Sequence, residues 1–279
     1  GRTDEAGVMA ELEARAERRR EALVDQIGSV PAIMLEMETA YWTGFDLEDL
    51  AWQAQVLTDT NETVAHRYLT DGGAVAVIVS GADRTGLFAD LAGTLARLGA
   101  NVVSAQVFTS KSGRIVDIFM LQDHTKGAFA AGDAPRMERL EAAMRDALAG
   151  KAIKGDVKTR AGRREAAFLV QPSVQIRDNL SAEYTVIDVG GRDRPGLLHE
   201  VADVLADMKL SIHSAHVGSY GERVFDAFYV QNARGEKLGK SARKDTLKDR
   251  LLAVLAREEL EAPHTPARKL KRSRAVDSF

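Results

Sequence analysis

Two short stretches carry residues that could do chemistry, and they are alike. One reads GGRDRPGLLHEV from Gly190 to Val201, the other SGADRTGLFADL from Ser80 to Leu91. Gly191 and Gly196, like Gly81 and Gly86, have the spacing of the two glycines of a phosphate-binding loop. Such a loop needs Lys and then Ser or Thr straight after its second glycine, to reach the phosphates and Mg²⁺. Here Leu197-Leu198 and Leu87-Phe88 follow, so neither turn is built for a nucleotide. Gly86 and Gly196 still allow a sharp turn and let a ligand approach without a Cβ in the way. A helix starting there offers N–H groups with no intrahelical partner at the positive end of its dipole, where a carboxylate fits as well as a phosphate. Asp83 and Asp193, three residues before those glycines, could cap the helix or meet an ammonium group. A free amino acid carries both charges. Two readings stand at this point: an amino-acid site, or a turn in which Asp only caps and Gly only bends. Asn101 and Ser211 are further polar candidates, although small polar residues at such turns need no ligand.

The elements that position these turns come as a repeat. Laying residues 83–105 over 193–215 without gaps pairs Asp83/Asp193, Arg84/Arg194, Gly86/Gly196, Leu87/Leu197, Ala92/Ala202, Leu95/Leu205, Ala96/Ala206, Ser104/Ser214 and Ala105/Ala215. After each glycine the large apolar residues fall on one helical stripe: Leu87, Phe88, Leu91, Leu95 and Leu98, matched by Leu197, Leu198, Val201, Leu205 and Met208. Short β-branched runs precede the helix (74–79, 184–189) and follow it (102–108, 212–217), and a turn leads to 115–121 and 224–230, with Asp117 and Asp226 in register. A second helix is expected near 135–149 and 241–256. For the first unit a further strand is expected near 173–177, completing βαββαβ, the α+β ferredoxin-like plan. The last strand of the second unit is not evident, because Pro263 and Pro266 interrupt the candidate region. Upstream, residues 5–27 predict a charged helix stopped by Gly28, and Asp46 can cap another running to about Tyr68. Residues 1–72 are therefore expected to be a helical segment, 73–180 and 181–261 the two units, and 262–279 a basic tail.

Composition narrows the function. The chain has 279 residues, 45% hydrophobic and 28% charged, enough for more than one core. A net charge of −3 and a pI near 6.1 give no general pull toward nucleic acid or anionic membrane. The locally basic stretches 151–164 and 268–274 read as solvated linker and tail. Without cysteine there is no disulfide framework, no Cys-ligated metal and no thiol chemistry, and with no apolar run near the length of a span the expectation is a cytoplasmic protein. The chain begins Gly-Arg, which suggests a piece of a longer one. His213 and His216 share a strand at a spacing that disfavours joint metal binding. His199, one turn into the second helix, is either a ligand contact or a surface residue. Phe119, Phe228 and Tyr229 have the strand placement of base-stacking aromatics, but the Lys/Arg-Gly-Phe signature is missing and Asp117 and Asp226 sit among them, against RNA binding.

The Asp-Arg-Thr-Gly-Leu-Phe and Asp-Arg-Pro-Gly-Leu-Leu turns, each followed by the helical stripe and by Asn101-Val102 or Ser211-Ile212, resemble tandem ACT domains, a family of small amino-acid-sensing regulatory modules. More closely, GRDRPGLLHEVADVL with SAHVGSYGERVFDAFYVQN, preceded by Tyr41-Trp42 and Phe45-Asp46, is similar to the C-terminal region of the bacterial PII uridylyltransferase/uridylyl-removing enzymes. The first turn departs from that pattern with Thr85 where the second has Pro195. The resemblance implies two ferredoxin-like ACT domains after a helical segment that joins them to an HD domain, with glutamine as effector and the PII signalling protein as partner through the parent enzyme. It implies an effector site at Asp83, Thr85, Gly86, Leu87, Asn101 and Val102, or at Asp193, Pro195, Gly196, Leu197, Ser211 and Ile212, where two ACT sheets of one chain or of a homodimer meet. It also implies Mg²⁺ in nucleotidyltransferase and phosphohydrolase domains, but no cofactor here. No His is followed by Asp, so the HD metal dyad is missing, and Gly28-Ser29 is not followed by Asp-x-Asp carboxylates. A stand-alone ACT regulator and a ligand-free docking pair remain the alternatives.

Overall fold

The computed structural model describes residues 2–57, 62–71, 73–123, 127–153, 170–220 and 223–257. The basic stretch beyond 153, Pro263, Pro266 and the tail lie outside these residues. Four helices come first: α1 (Arg2–Ile27), α2 (Ala32–Leu35), α3 (Thr39–Gly44) and α4 (Leu47–Val56). Gly28 ends α1 with φ +84, its N–H closing on the Val24 carbonyl at 2.8 Å. Asp46 caps α4 as expected, its side chain accepting the Asp49 N–H at 2.8 Å.

The helix predicted to run on to Tyr68 stops at Val56. Thr63–Tyr68 is instead a strand, β1, paired antiparallel with β2 (Val75–Ala82). Seven of the eight β2 residues are buried, so β2 is a central strand whose backbone groups need partners on both edges. That requirement outweighs the helical reading of the region. There follow α5 (Leu87–Arg97), β3 (Asn101–Thr109), β4 (Arg114–Gln122) and α6 (Ala134–Leu148). The second unit repeats this order as β5 (Ser173–Arg177), β6 (Thr185–Arg192), α7 (Leu197–Asp207), β7 (Leu210–Tyr220), β8 (Arg223–Asn232) and α8 (Ser241–Leu255).

The Ser173–Arg177 strand exists, but it does not close the first unit. It pairs with β6, as the edge of the second. Each unit thus fills the outer position of its ferredoxin-like sheet with a strand preceding its first central strand. β5 thereby takes the place beside β6 that a final strand after α8 would otherwise fill.

The eight strands form one antiparallel sheet in the order β1-β2-β4-β3-β7-β8-β6-β5. The halves join where β3 and β7 run antiparallel, Ser104 opposite Gly218 and Phe108 opposite Ser214, with Gln106 and His216 at the centre. Since Ser104 and Ser214 are equivalent in the repeat, this register is a local two-fold. The stripes of α5 and α7 pack side by side on one face, together with α6 and α8, over one core spanning both units. Phe88 bridges it, its ring 6.0 Å from Phe119 and 6.4 Å from Phe228. On the opposite face the helical segment covers the first unit: Tyr41, Trp42, Phe45 and Leu50 pack on Ile78, Phe108, Val116 and Ile118.

Candidate functional site

Each repeated turn is fixed by three residues. Gly86 and Gly196 sit at the helix starts with φ +81 and +83, the left-handed region in which an L side chain is strained. The Leu87 and Leu197 N–H groups close the turns on the Arg84 and Arg194 carbonyls, both at 3.1 Å. They are spent there, so the amides left for a ligand at the first turn are those of Phe88 and Ala89, first-turn positions with no acceptor one turn back. The arginines clamp the turns from behind. Arg84 bonds Asp90 (2.5 Å) and the Ala147 carbonyl (2.9 Å) at the end of α6, and Arg194 bonds both Glu200 oxygens (2.6 and 3.0 Å) and the Val254 carbonyl (3.1 Å) at the end of α8. A cation at a helix C-terminus meets the negative end of its dipole. The other two glycines of the loop-like pattern serve packing: a Cβ on Gly81 would lie 3.0 Å from Leu148, and one on Gly191 2.9 Å from Leu255.

A small cavity, about 30 Å³, lies at the first turn. Its lining comes from both units: Asp83, Thr85, Gly86 and Leu87 of the turn, Asp117 on β4, Ala202 and Ala206 on α7, and Ser211 and Ile212 at the start of β7. The first turn therefore meets Ser211 and Ile212 of the second unit, not its own Asn101 and Val102. The reason is the β3–β7 register, which sets α7 against the first turn so closely that a Cβ on Gly86 would be 3.7 Å from the Ala206 methyl. Asp193, Pro195, Gly196 and Leu197 are the second turn's counterparts of Asp83, Thr85, Gly86 and Leu87, and Asn101 is exposed at the start of β3. Thr85 and Pro195 are the position at which the two turns differ.

The electrostatics centre on carboxylates. Asp83 takes the Arg84 backbone N–H rather than capping the helix, which begins at Gly86. Burial raises its pKa, opposed by that N–H and by the nearby His213 and Arg84 charges. Asp117 is 1% exposed, and burial, with the charge of Asp83 adding to it, holds its carboxyl well above the usual range against one opposing bond from the Phe108 N–H. Its Oδ1 has no hydrogen-bond partner among the described residues. In the second unit burial pushes Asp226 up to about 7, opposed by the Gly218 N–H on its Oδ1 and helped by Asp193.

The histidines do other work. His199 ties α7 to α5, its Nδ1 2.9 Å from the Ala89 carbonyl and its Nε2 3.2 Å from Arg97. His213 is the extra residue of a bulge between Ile212 and Ser214; it stacks on Tyr184 at 4.4 Å and lies 3.3 Å from Glu38 of the helical segment. Among the described residues no three His, Asp or Glu side chains gather as a metal-binding group. Phe119 and Phe228 are fully buried and unavailable to a base. No helix among the described residues is long and apolar enough to cross a membrane. Sequence reading did not bring Asp117 to this cavity, although an acid at a helix-facing strand position between Ile115 and Phe119 was a signal for it.

Comparison with known proteins follows the repeat. Residues 75–127 match the ACT domain family, and 180–251 match the ACR family N-terminal ACT domain. The chain is 40% identical over 275 residues to the bifunctional uridylyltransferase/uridylyl-removing enzyme of Caulobacter vibrioides (strain NA1000 / CB15N), covering 92% of this chain and 28% of that protein. With the enzyme of the same description from Azospirillum brasilense the identity is 35% over 257 residues, covering 87% and 27%. The chain thus spans little more than a quarter of the length of these relatives. Among solved structures, an aspartate kinase from Synechocystis aligns with 68% of this chain and 27% of its own at 15% identity and a TM-score of 0.36, too distant to carry an argument.

Proposed function

From two ACT domains in a chain homologous to the C-terminal part of bifunctional uridylyltransferase/uridylyl-removing enzymes, we propose that this is the glutamine-sensing region of such an enzyme. In this reading the parent protein transfers UMP to the PII signalling protein and removes it, in the cytoplasm, through Mg²⁺-dependent domains outside this chain. The observation that carries the reading is the pocket shared by the units. It sets first-turn amides, suited to a carboxylate, beside Asp83 and Asp117, suited to an ammonium group, at the joint between the two sheets. An amino acid has that charge pattern. A cavity of about 30 Å³ holds a water or two, so the effector enters by parting α5 from α7 at Ala202 and Ala206. Binding therefore selects one relative position of the two units, and the catalytic domains read that position. A coupling of roughly 1–3 kcal/mol is typical of such effectors.

The test is a melting-temperature series with each of the 20 amino acids. At about 100 times Kd a ligand adds roughly 2.7 kcal/mol to stability. Glutamine alone should raise the melting temperature, and Gly86→Val or Gly196→Val should identify the turn responsible by removing the response. A shift with a different amino acid refutes the assignment of glutamine. The small cavity favours one rival, a docking pair that takes no ligand, and a chain indifferent to all 20 would select it.

A further inference from the structure

We propose that Asp117 is the buried counter-charge for a protonated amine, so that the pocket at the first turn selects ligands by a primary ammonium group. The inference rests on reading that pocket as an effector site, and it names the group that decides which ligands qualify.

Asp117 stands in a stripe of β4 whose other helix-facing members, Ile115, Phe119 and Leu121, are buried and apolar. Packing alone would be served there by another aliphatic residue. A buried carboxylate is instead normally paired, because leaving it charged and alone is costly. Asp117 has one bond, from the Phe108 N–H, and an Oδ1 with no partner among the described residues. The charged groups of the surrounding elements do not supply one. Asp83, in the turn after β2, has the same sign and opposes ionisation of Asp117. Arg84 lines the cavity but is committed to Asp90 and the Ala147 carbonyl. His213 on β7 acts on Asp83 while its ring is held between Tyr184 and Glu38. Two carboxylates thus face one cavity, and Arg84 and His213, whose charges reach Asp83, are engaged elsewhere and do not reach Asp117.

The space selects the cation. An ammonium head is about the size of a water and fits the roughly 30 Å³ already present, whereas a planar guanidinium requires the helices to part further. A hard metal ion such as Ca²⁺ needs six to eight oxygens, and no third acid joins these two among the described residues. The amine therefore enters head first between Asp83 and Asp117, and the rest of the ligand extends along the joint toward Ser211.

The test is calorimetric titration of the chain and of Asp117→Asn with the 20 amino acids and with glutaramic acid, which is glutamine without its amine. The expected result is an amino acid whose affinity falls roughly 10- to 100-fold in Asp117→Asn, the loss of a charge-assisted bond. Glutaramic acid should bind both proteins equally and more weakly than glutamine binds the unsubstituted chain. The second comparison needs no variant, so it stands even if Asp117→Asn folds poorly. Glutamine binding unchanged in Asp117→Asn, or glutaramic acid binding as tightly as glutamine, overturns the inference and leaves the glutamine reading intact. A different amino acid that depends on Asp117 does the reverse. Absence of binding by every amine overturns both.

Discussion

Asp226 offers the sharpest test of how these buried acids are held. Its carboxyl is raised by burial, and further by Asp193, from an ordinary 3.8 to about 7, with only the Gly218 N–H opposing. Between those two values the folded chain holds a proton that the unfolded chain has released. Stability therefore falls as pH rises from about 4, and the loss is complete above about 7. Roughly three pH units at 1.36 kcal/mol each gives about 4 kcal/mol, an upper limit because water entry and side-chain movement relieve an ionised buried group. Asp226→Asn keeps an oxygen for the Gly218 N–H and has nothing to ionise. Relative to the unsubstituted chain it should be within about 1 kcal/mol at pH 4 and gain as pH rises, levelling off between pH 7 and 8. Urea unfolding followed by circular dichroism at each pH measures the difference between the two proteins, in which titrating groups remote from Asp226 cancel. A difference that is flat with pH, or a variant less stable than its parent at pH 8, would refute the reasoning.

Arg194→Ala should cost about 3 kcal/mol in chemical denaturation, because it strips a side chain only 7% exposed from Glu200 and the Val254 carbonyl. The equivalent Arg84→Ala should cost only about 1 kcal/mol, since that guanidinium is 35% exposed and pairs with an acid exposed to a similar degree. Tyr41→Phe removes a buried hydroxyl that donates to Gln53 at 2.6 Å and leaves Gln53 orphaned, so thermal unfolding should register a loss of about 1–2 kcal/mol. Gly86→Ala meets no clash, with Ala206 at 3.7 Å, but forces a Cβ into the left-handed region. A destabilisation of about 1–2 kcal/mol without change in the circular dichroism spectrum is the expected outcome.

The sequence by itself determined most of what depends on local backbone and side-chain pattern. The apolar stripes of α5 and α7, the glycines at the helix starts and the Asp46 cap were legible because each is a rule about residues a few positions apart, and the repeat was legible as identity at one fixed offset. Even the failure of the phosphate-loop reading was visible in Leu87 and Leu197. What the sequence left undetermined is how strands and turns find distant partners. Thr63–Tyr68 and Ser173–Arg177 carry no local mark of the sheet they complete, and only the open edges of β2 and β6 decide it. Likewise Asp83 shares its cavity with Ser211 rather than Asn101 because β3 and β7 pair about a two-fold, which sets the first turn against the second unit. Asp117 reads as one polar residue in an apolar strand until two helices bury it beside Asp83. Its charge then becomes costly, because the fold removes water from it and supplies no cation in exchange.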